Sequence, residues 1–223
     1  MSELPRTFDE TLIQLGAALE RAKNDGKQRL QVDIRIPGLE TMAIVQAIAP
    51  LLGTGWVALF PDPGAAALAR KKLGTVDYAL RGLSEMRSGV DQYSALLLVE
   101  PSAVEVESVE SVAGQAVGKP VILLNSRLEE SGVVGIGLAG RQLRERFLST
   151  IEVIYTIQPF EAGALYRSYP NPWQLWKEDQ DGDYSLVNEM AQRPSGEDID
   201  KAFRPKGEGL FDGLRRFLRA IGN

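Results

Sequence analysis

The sequence contains no cysteine and no histidine. The first absence excludes a disulfide framework and a thiolate nucleophile. The second removes the commonest general base and the commonest metal ligand. A zinc site would have to be built from carboxylates alone, a donor set that zinc rarely uses. No metal and no cofactor is therefore expected, and any catalysis must draw on Asp, Glu, Lys, Arg, Tyr, Ser or backbone groups. Long apolar runs are missing too. Nothing approaches the roughly 18 consecutive apolar residues of a membrane span. A net excess of positive charge is missing as well: 30 acids against 25 bases give a net charge of −5, which argues against a general nucleic-acid binder, since that needs a basic surface. The opening Met-Ser-Glu-Leu-Pro-Arg-Thr-Phe-Asp-Glu is acidic and has no apolar core, so it reads as neither a secretory signal nor a transit peptide. The expected location is the cytoplasm.

What is present is an ordinary globular composition, 44% hydrophobic and 25% charged over 223 residues. A chain of this size buries roughly 70–75% of its unfolded surface and needs no covalent staple. Thr7-Phe8-Asp9-Glu10 has capping-box spacing, and Phe8, Leu12, Leu15, Leu19 and Ala22 follow at helical intervals up to Asp25-Gly26. Leu30 to Ile36 alternates strictly, which predicts a half-buried strand with one polar face. A helix is expected from Glu40 to Leu52. Then come a strand (Trp56–Phe60), a turn at Pro61-Asp62-Pro63-Gly64, an Ala-rich helix (Ala65–Leu73) and a strand (Val76–Leu80). Residues 81–93 read as irregular. Ala95–Val99 and Val121–Leu124 are continuous apolar runs, the pattern of strands buried on both faces, with a crossover helix at Val104–Val117 between them. This alternation predicts a parallel-rich sheet covered by helices.

The second half differs. Gln142–Leu148 is a short arginine-rich helix. Ile151–Ile157, Ala164–Tyr169, Gln174–Lys177 and Tyr184–Val187 read as strands joined by turns, an antiparallel meander. The expected fold class is therefore α/β with a mixed sheet: a parallel-rich N-terminal core flanked by helices, then a C-terminal antiparallel meander. Residues 1–200 are expected to form one α/β domain. Residues 201–223 follow as a linker with an amphipathic helix at Leu210–Ile221. Trp176–Asp200 holds eight acids and two bases, and Lys201–Asn223 six bases and two acids.

Ligands of open parallel sheets bind outside the carboxyl ends of the strands. Asp62, Glu100 and Asn125 fall there, and Gly64 would open a helix N-terminus suited to an anion. The alternative is local: Asp62 and Ser102 cap helices, and Asn125 sits in a turn. Gly135-Ile136-Gly137-Leu138-Ala139-Gly140 matches the dinucleotide fingerprint in letters but not in context, because no strand immediately precedes it. Arg141, Arg144 and Arg146 could grip a phosphate or a carboxylate-bearing partner, or could pair along their own helix, Arg141 with Glu145. Tyr166, Tyr169, Trp173 and Trp176 crowd one hairpin next to Arg167; they form either core packing or a protein-binding patch. The terminal segment places Phe211 and Phe217 on an apolar face, with Arg215, Arg216 and Arg219 off it. So short a helix is marginal alone, and must dock on its own domain, on a partner or on an anionic membrane surface.

An ordered set of segments carries a resemblance. It comprises Asp25-Gly26-Lys27-Gln28-Arg29-Leu30, Leu59-Phe60-Pro61-Asp62-Pro63-Gly64, Leu98-Val99-Glu100-Pro101-Ser102, and Val121-Ile122-Leu123-Leu124-Asn125. Gly135-Ile136-Gly137 with Arg141 to Phe147, then Ala164-Leu165-Tyr166-Arg167 with Tyr169-Pro170 and Trp173, complete it. In these the chain resembles a cyanobacterial and plastid domain of unknown function, found in the low-photosystem-II-accumulation assembly factors. The resemblance runs from Pro5 to Ile199. It implies a non-enzymatic factor at the thylakoid, with photosystem II assembly proteins or other thylakoid proteins as partners. It carries no catalytic residues. A phosphate- or nucleotide-binding enzyme or sensor in the Asp62, Glu100 and Asn125 crevice is the alternative.

Overall fold

The computed structural model describes residues 3–86, 88–129, 138–161, 163–179 and 181–203. Within them lie nine strands in one sheet and six α-helices. The helices are α1 (Phe8–Asn24), α2 (Thr41–Leu52), α3 (Pro63–Leu73), α4 (Val106–Gln115), α5 (Leu138–Arg146) and α6 (Gly196–Phe203). The strands are β1 (Arg29–Ile34), β2 (Val57–Phe60), β3 (Ala79–Gly82), β4 (Leu96–Val99) and β5 (Val121–Leu124), followed by β6 (Glu152–Phe160), β7 (Gly163–Ser168), β8 (Trp173–Glu178) and β9 (Tyr184–Met190). They are arranged β3-β2-β4-β5-β1-β6-β7-β8-β9. The first six in that order run parallel and the last three pair antiparallel. The fold is thus α/β with a mixed sheet. Its parallel part reaches into the expected meander, because β6, expected there at Ile151–Ile157, runs parallel to β1 and only its other edge pairs antiparallel, with β7.

Each element has a local cause. Thr7 caps α1 by accepting from the Glu10 amide, and Asp62 caps α3 by accepting from the Ala65 amide at 2.8 Å. β2, β4 and β5 are buried along their whole length, as unbroken apolar runs require of strands covered on both faces. On one face α1, α2 and α3 contribute Leu15, Ile44, Val45, Ile48, Ala66 and Ala69 to the core. On the other, Val109 and Val112 of α4 pack with Leu143 of α5 and with Phe147. The two faces follow from chain direction. α2 and α3 carry the chain toward β3, whereas α4 and α5 carry it toward β6. Right-handed crossovers running in opposite directions must lie on opposite faces.

Several expectations need adjustment. The strand expected at Val76–Leu80 begins at Ala79, because Tyr78 is drawn out of the ladder to stack on Trp56 with ring centroids 4.0 Å apart. α5 begins before Gln142, at Leu138. α6 was not among the expected elements; it spans the expected boundary at residue 200 between domain and linker. A reciprocal cap starts it: the Asp198 amide donates to Ser195 Oγ, while the Asp198 carboxylate accepts the Ser195 amide at 2.9 Å. β1 is the main correction. It is not half-exposed but central, and its polar face is covered: Asp33 is 0% exposed. The expected helix at Leu210–Ile221, with Phe211, Arg215, Arg216, Phe217 and Arg219, lies outside the described residues, as do Gly135 to Gly137 of the glycine-rich stretch.

Candidate functional site

The strand order creates two places where neighbouring strands send the chain away from each other. One lies between β2 and β4, the other between β1 and β6. Clefts form at such points because the two connections diverge and leave the carboxyl ends uncovered. Both clefts are present. The β1/β6 cleft has a volume of about 600 Å³ and is lined mainly by apolar groups such as Phe8, Ile36, Ile157 and Tyr184. The β2/β4 cleft has a volume of about 440 Å³ and is lined by Thr41, Phe60, Lys72, Glu100 and Arg127 among others.

The crevice expected from Asp62, Glu100 and Asn125 is therefore a real cleft, but only Glu100 of the three lines it. Glu100 follows β4 with φ 50°, a left-handed conformation costly for a branched-free but bulky side chain. Its carboxylate accepts from the Thr41 hydroxyl at 2.7 Å, pinning the start of α2. Asp62 is exposed and spent on its cap. The anion site expected at Gly64 is weakened by the same cap: Pro63 has no N–H, and the Asp62 carboxylate already holds the Ala65 amide. Asn125 points sideways to β1. Its side-chain oxygen accepts from the Ile34 amide at 2.8 Å, and its amide nitrogen donates to the Ile34 carbonyl at 3.1 Å. It thus extends the β5–β1 ladder one step past the end of β5. At the cleft rim Lys72 pairs with Glu40 at 3.1 Å, while the exposed Arg127 guanidinium has no partner among the described residues.

The arginines of α5 separate. Arg146 holds Glu110 of α4 through two bonds of 2.7 and 2.9 Å. That bond keeps the Glu110 carboxyl below its ordinary value of 4.5. Arg141 and Arg144 are exposed and have no ion-pair partner among the described residues, so the Arg141–Glu145 pairing expected along the helix is not formed. The aromatic hairpin also divides. Tyr166 and Trp173 are buried and belong to the core, so their ring faces offer no surface patch. The Tyr166 and Tyr155 hydroxyls both donate to Gln14 Oε1, at 2.7 and 3.1 Å, and burial pushes the Tyr155 phenol far above its ordinary value.

Sequence reasoning missed a third cleft, of about 280 Å³, on the α4–α5–α6 side of the sheet beneath β1, β6 and β7. Gln31, Arg167, Trp173 and Arg193 line it. Beside them Asp33 Oδ2 accepts from Gln31 Nε2 at 3.0 Å and Arg193 Nη1 at 3.3 Å. The guanidinium carbons of Arg167 and Arg193 stand 5.3 and 5.2 Å from the Trp173 ring centroid. Arg167 Nη2 holds Glu152 at 2.8 Å. Arg167 and Trp173, singled out from sequence as surface candidates, are therefore brought together, but in a half-enclosed polar cluster. The polar residues of β1 stood in the sequence, but their burial did not, because the neighbouring strands β5 and β6 and the pairing Arg193 lie far along the chain. Charge at a central strand must be paired.

Fold and clefts define a doubly wound α/β protein with a widened antiparallel flank and openings at its strand ends. The chain belongs to the family described as Domain of unknown function (DUF1995), whose model matches residues 5–201. The match starts just before α1 and ends inside α6. No helix among the described residues is long and apolar enough to cross a membrane.

Proposed function

We propose that this protein is a non-enzymatic assembly or regulatory factor for photosystem II, working peripherally at the thylakoid by protein recognition. The observation that carries the reading is the β9 edge. It is seven residues long, exposed throughout its middle, and presents Leu186 and Val187 each 38% exposed. A long open edge offers unpaired backbone groups to another strand, and proteins that do not use such an edge blunt it. Glu178, Asp179, Asp181, Asp183 and Glu189 flank this one, and among the described residues they outnumber the bases beside them, Lys177 and the Arg6 that pairs with Asp183 at 3.2 Å. The occupant that fits is an extended, lysine- or arginine-bearing segment adding a tenth strand. The photosystem II assignment is supported by the segment resemblance. Arg141 and Arg144 of α5 are further contact candidates.

Cross-linking of the full-length protein in thylakoid membranes tests this. The expected products are photosystem II assembly proteins, with capture falling at least about tenfold when Leu186 and Val187 are both replaced by lysine. Undiminished capture by that variant would reject the edge, and products confined to proteins outside photosystem II would reject the assignment.

A second reading is a phosphate- or nucleotide-binding enzyme or sensor in the β2/β4 cleft. Arg127, whose guanidinium has no partner among the described residues, next to the left-handed Glu100 favours it. Titration with ATP and with inorganic phosphate would then raise the melting temperature of the wild type but not of Arg127→Gln. No rise with either ligand removes this reading.

A further inference from the structure

The β1/β6 cleft has an apolar wall that the described residues leave half open. Leu4, Phe8, Ile36, Leu39 and Tyr184 line it, and each is only partly buried against the core behind it. The polar groups in its wall are already engaged. The Thr11 hydroxyl donates to the Thr7 carbonyl at 3.1 Å, and Arg6 pairs with Asp183 at 3.2 Å. The wall therefore suits apolar side chains better than a polar ligand. Its volume of about 600 Å³ is that of on the order of twenty waters at ~30 Å³ each, room for several large side chains.

A segment of the chain itself fits this opening. Residues 204–223 lie outside the described residues and beyond the family match. They start from a defined place. Phe203, the last residue of α6, packs edge-on against Phe160 with ring centroids 5.2 Å apart. Phe160 ends β6, and Pro159 beside it lines the cleft. The chain thus leaves α6 at the carboxyl end of β6, the end at which the cleft opens. Arg204–Gly209 can reach at most about 20 Å, enough to cross the end of the sheet to the α1 face. Beyond them Leu210, Phe211, Leu214, Phe217, Leu218 and Ile221 recur at helical rather than alternating spacing, a pattern for a groove and not for the β9 edge. Twelve residues with Gly213 among them do not hold a helix alone in water, so that apolar face has to be covered. Charge agrees. Residues 204–223 carry five bases and two acids. At the cleft rim the exposed Asp9 and Glu10 follow Phe8, and the exposed Asp181 and Asp183 bracket Gly182. A further cleft of about 490 Å³, between α1 and α2 at the opposite end of the sheet, is the poorer match: Lys23 and Lys27 outnumber Glu20 there.

We propose that residues 210–221 dock as an amphipathic helix in the β1/β6 cleft of their own chain. Phe211, Leu214 and Phe217 enter the apolar wall, with Arg215 at the flank of that face toward the acids of the rim. The docked helix covers the cleft, and whatever binds the same apolar face uncovers it. The proposal is independent of what the β9 edge recognises.

The chain has no cysteine, so introduced pairs report without background. In the full-length protein, Pro37→Cys on the cleft rim is combined with Ala220→Cys and bridged by a short bismaleimide. At about 1 μM protein the intramolecular product should exceed, by at least about tenfold, that of Leu51→Cys with Ala220→Cys, since Leu51 lines the cleft at the other end of the sheet. Phe211→Asp with Leu214→Asp changes the segment alone and leaves the domain folded. It should return the product to the level of the Leu51 pair and speed amide exchange in residues 210–221 about tenfold. Equal yields from the two pairs, or a yield that the two aspartates do not change, would overturn the proposal. A mainly intermolecular product would overturn it in favour of a second copy. Amide protection of residues 210–221 that appears only with phosphatidylglycerol vesicles would overturn it in favour of a membrane surface.

Discussion

Gly163→Ala is expected to abolish the native fold or to destabilise it by more than about 3 kcal/mol, read as a collapse of the urea midpoint or as loss of soluble protein. Gly163 opens β7 and sits between Phe160 of β6 and Lys177 of β8. A methyl group there would run into the Trp176 carbonyl oxygen, with the Trp176 carbonyl carbon at 2.9 Å and Lys177 Cα at 3.1 Å. These are backbone atoms of a neighbouring strand and cannot turn aside as a flexible side chain would. Relief requires β7 and β8 to part, which breaks the ladder holding the antiparallel half to the sheet. Gly114→Ala provides the control of opposite sign. Gly114 lies inside α4, and a Cβ there meets nothing within 4 Å. Alanine should stabilise by about 0.5–1 kcal/mol through helix propensity alone.

The second large effect concerns Asn125. Asn125→Ala should cost about 3 kcal/mol, Asn125→Gly about 2 kcal/mol, with the midpoint lowered and the denaturant slope unchanged. Both variants remove the two bonds to the Ile34 backbone, in the middle of the sheet. Only alanine also has to hold φ 50° with a Cβ. The difference between the two variants therefore measures backbone strain, and what they share measures the bonds. Equal losses would mean that the left-handed conformation is not costly here. A larger loss for glycine would mean that chain flexibility outweighs both terms.

Most of the framework was legible because its signals are local. The apolar runs Ala95–Val99 and Val121–Leu124, the cap at Thr7 and the turn at Pro61-Asp62-Pro63-Gly64 each define an element without reference to the rest of the chain. β1 was legible as a strand but not as the centre of the sheet. Its neighbours β5 and β6 lie far along the chain, and nothing within Leu30–Ile36 announces them. For the same reason Gln31 and Asp33 read as a solvated face, since Arg193, which pairs with Asp33, lies 160 positions away in the chain. At the β2/β4 cleft the sequence placed three residues at strand ends, which is a statement about position. Where each side chain points was decided by the nearest unsatisfied backbone group: the α3 N-terminus for Asp62 and the open end of β1 for Asn125. Glu100 was left to face the cleft. α6 was missed although its cap, Ser195 followed three residues later by Asp198, stood in the sequence.

The central position of β1 also bears on how the chain is made. β1 is the first strand to leave the ribosome, yet its register partners in β5 and β6 begin at Val121 and Glu152. At roughly 5–20 residues per second, the strand waits on the order of ten seconds before either partner exists. For that time Leu30, Val32 and Ile34 are a bare apolar stripe in a growing chain. Gln31, Asp33 and Arg35, interleaved with them, keep the segment from joining the same segment of a neighbouring nascent chain. The polar residues of β1, covered in the folded protein, thus first serve as a guard against aggregation during translation.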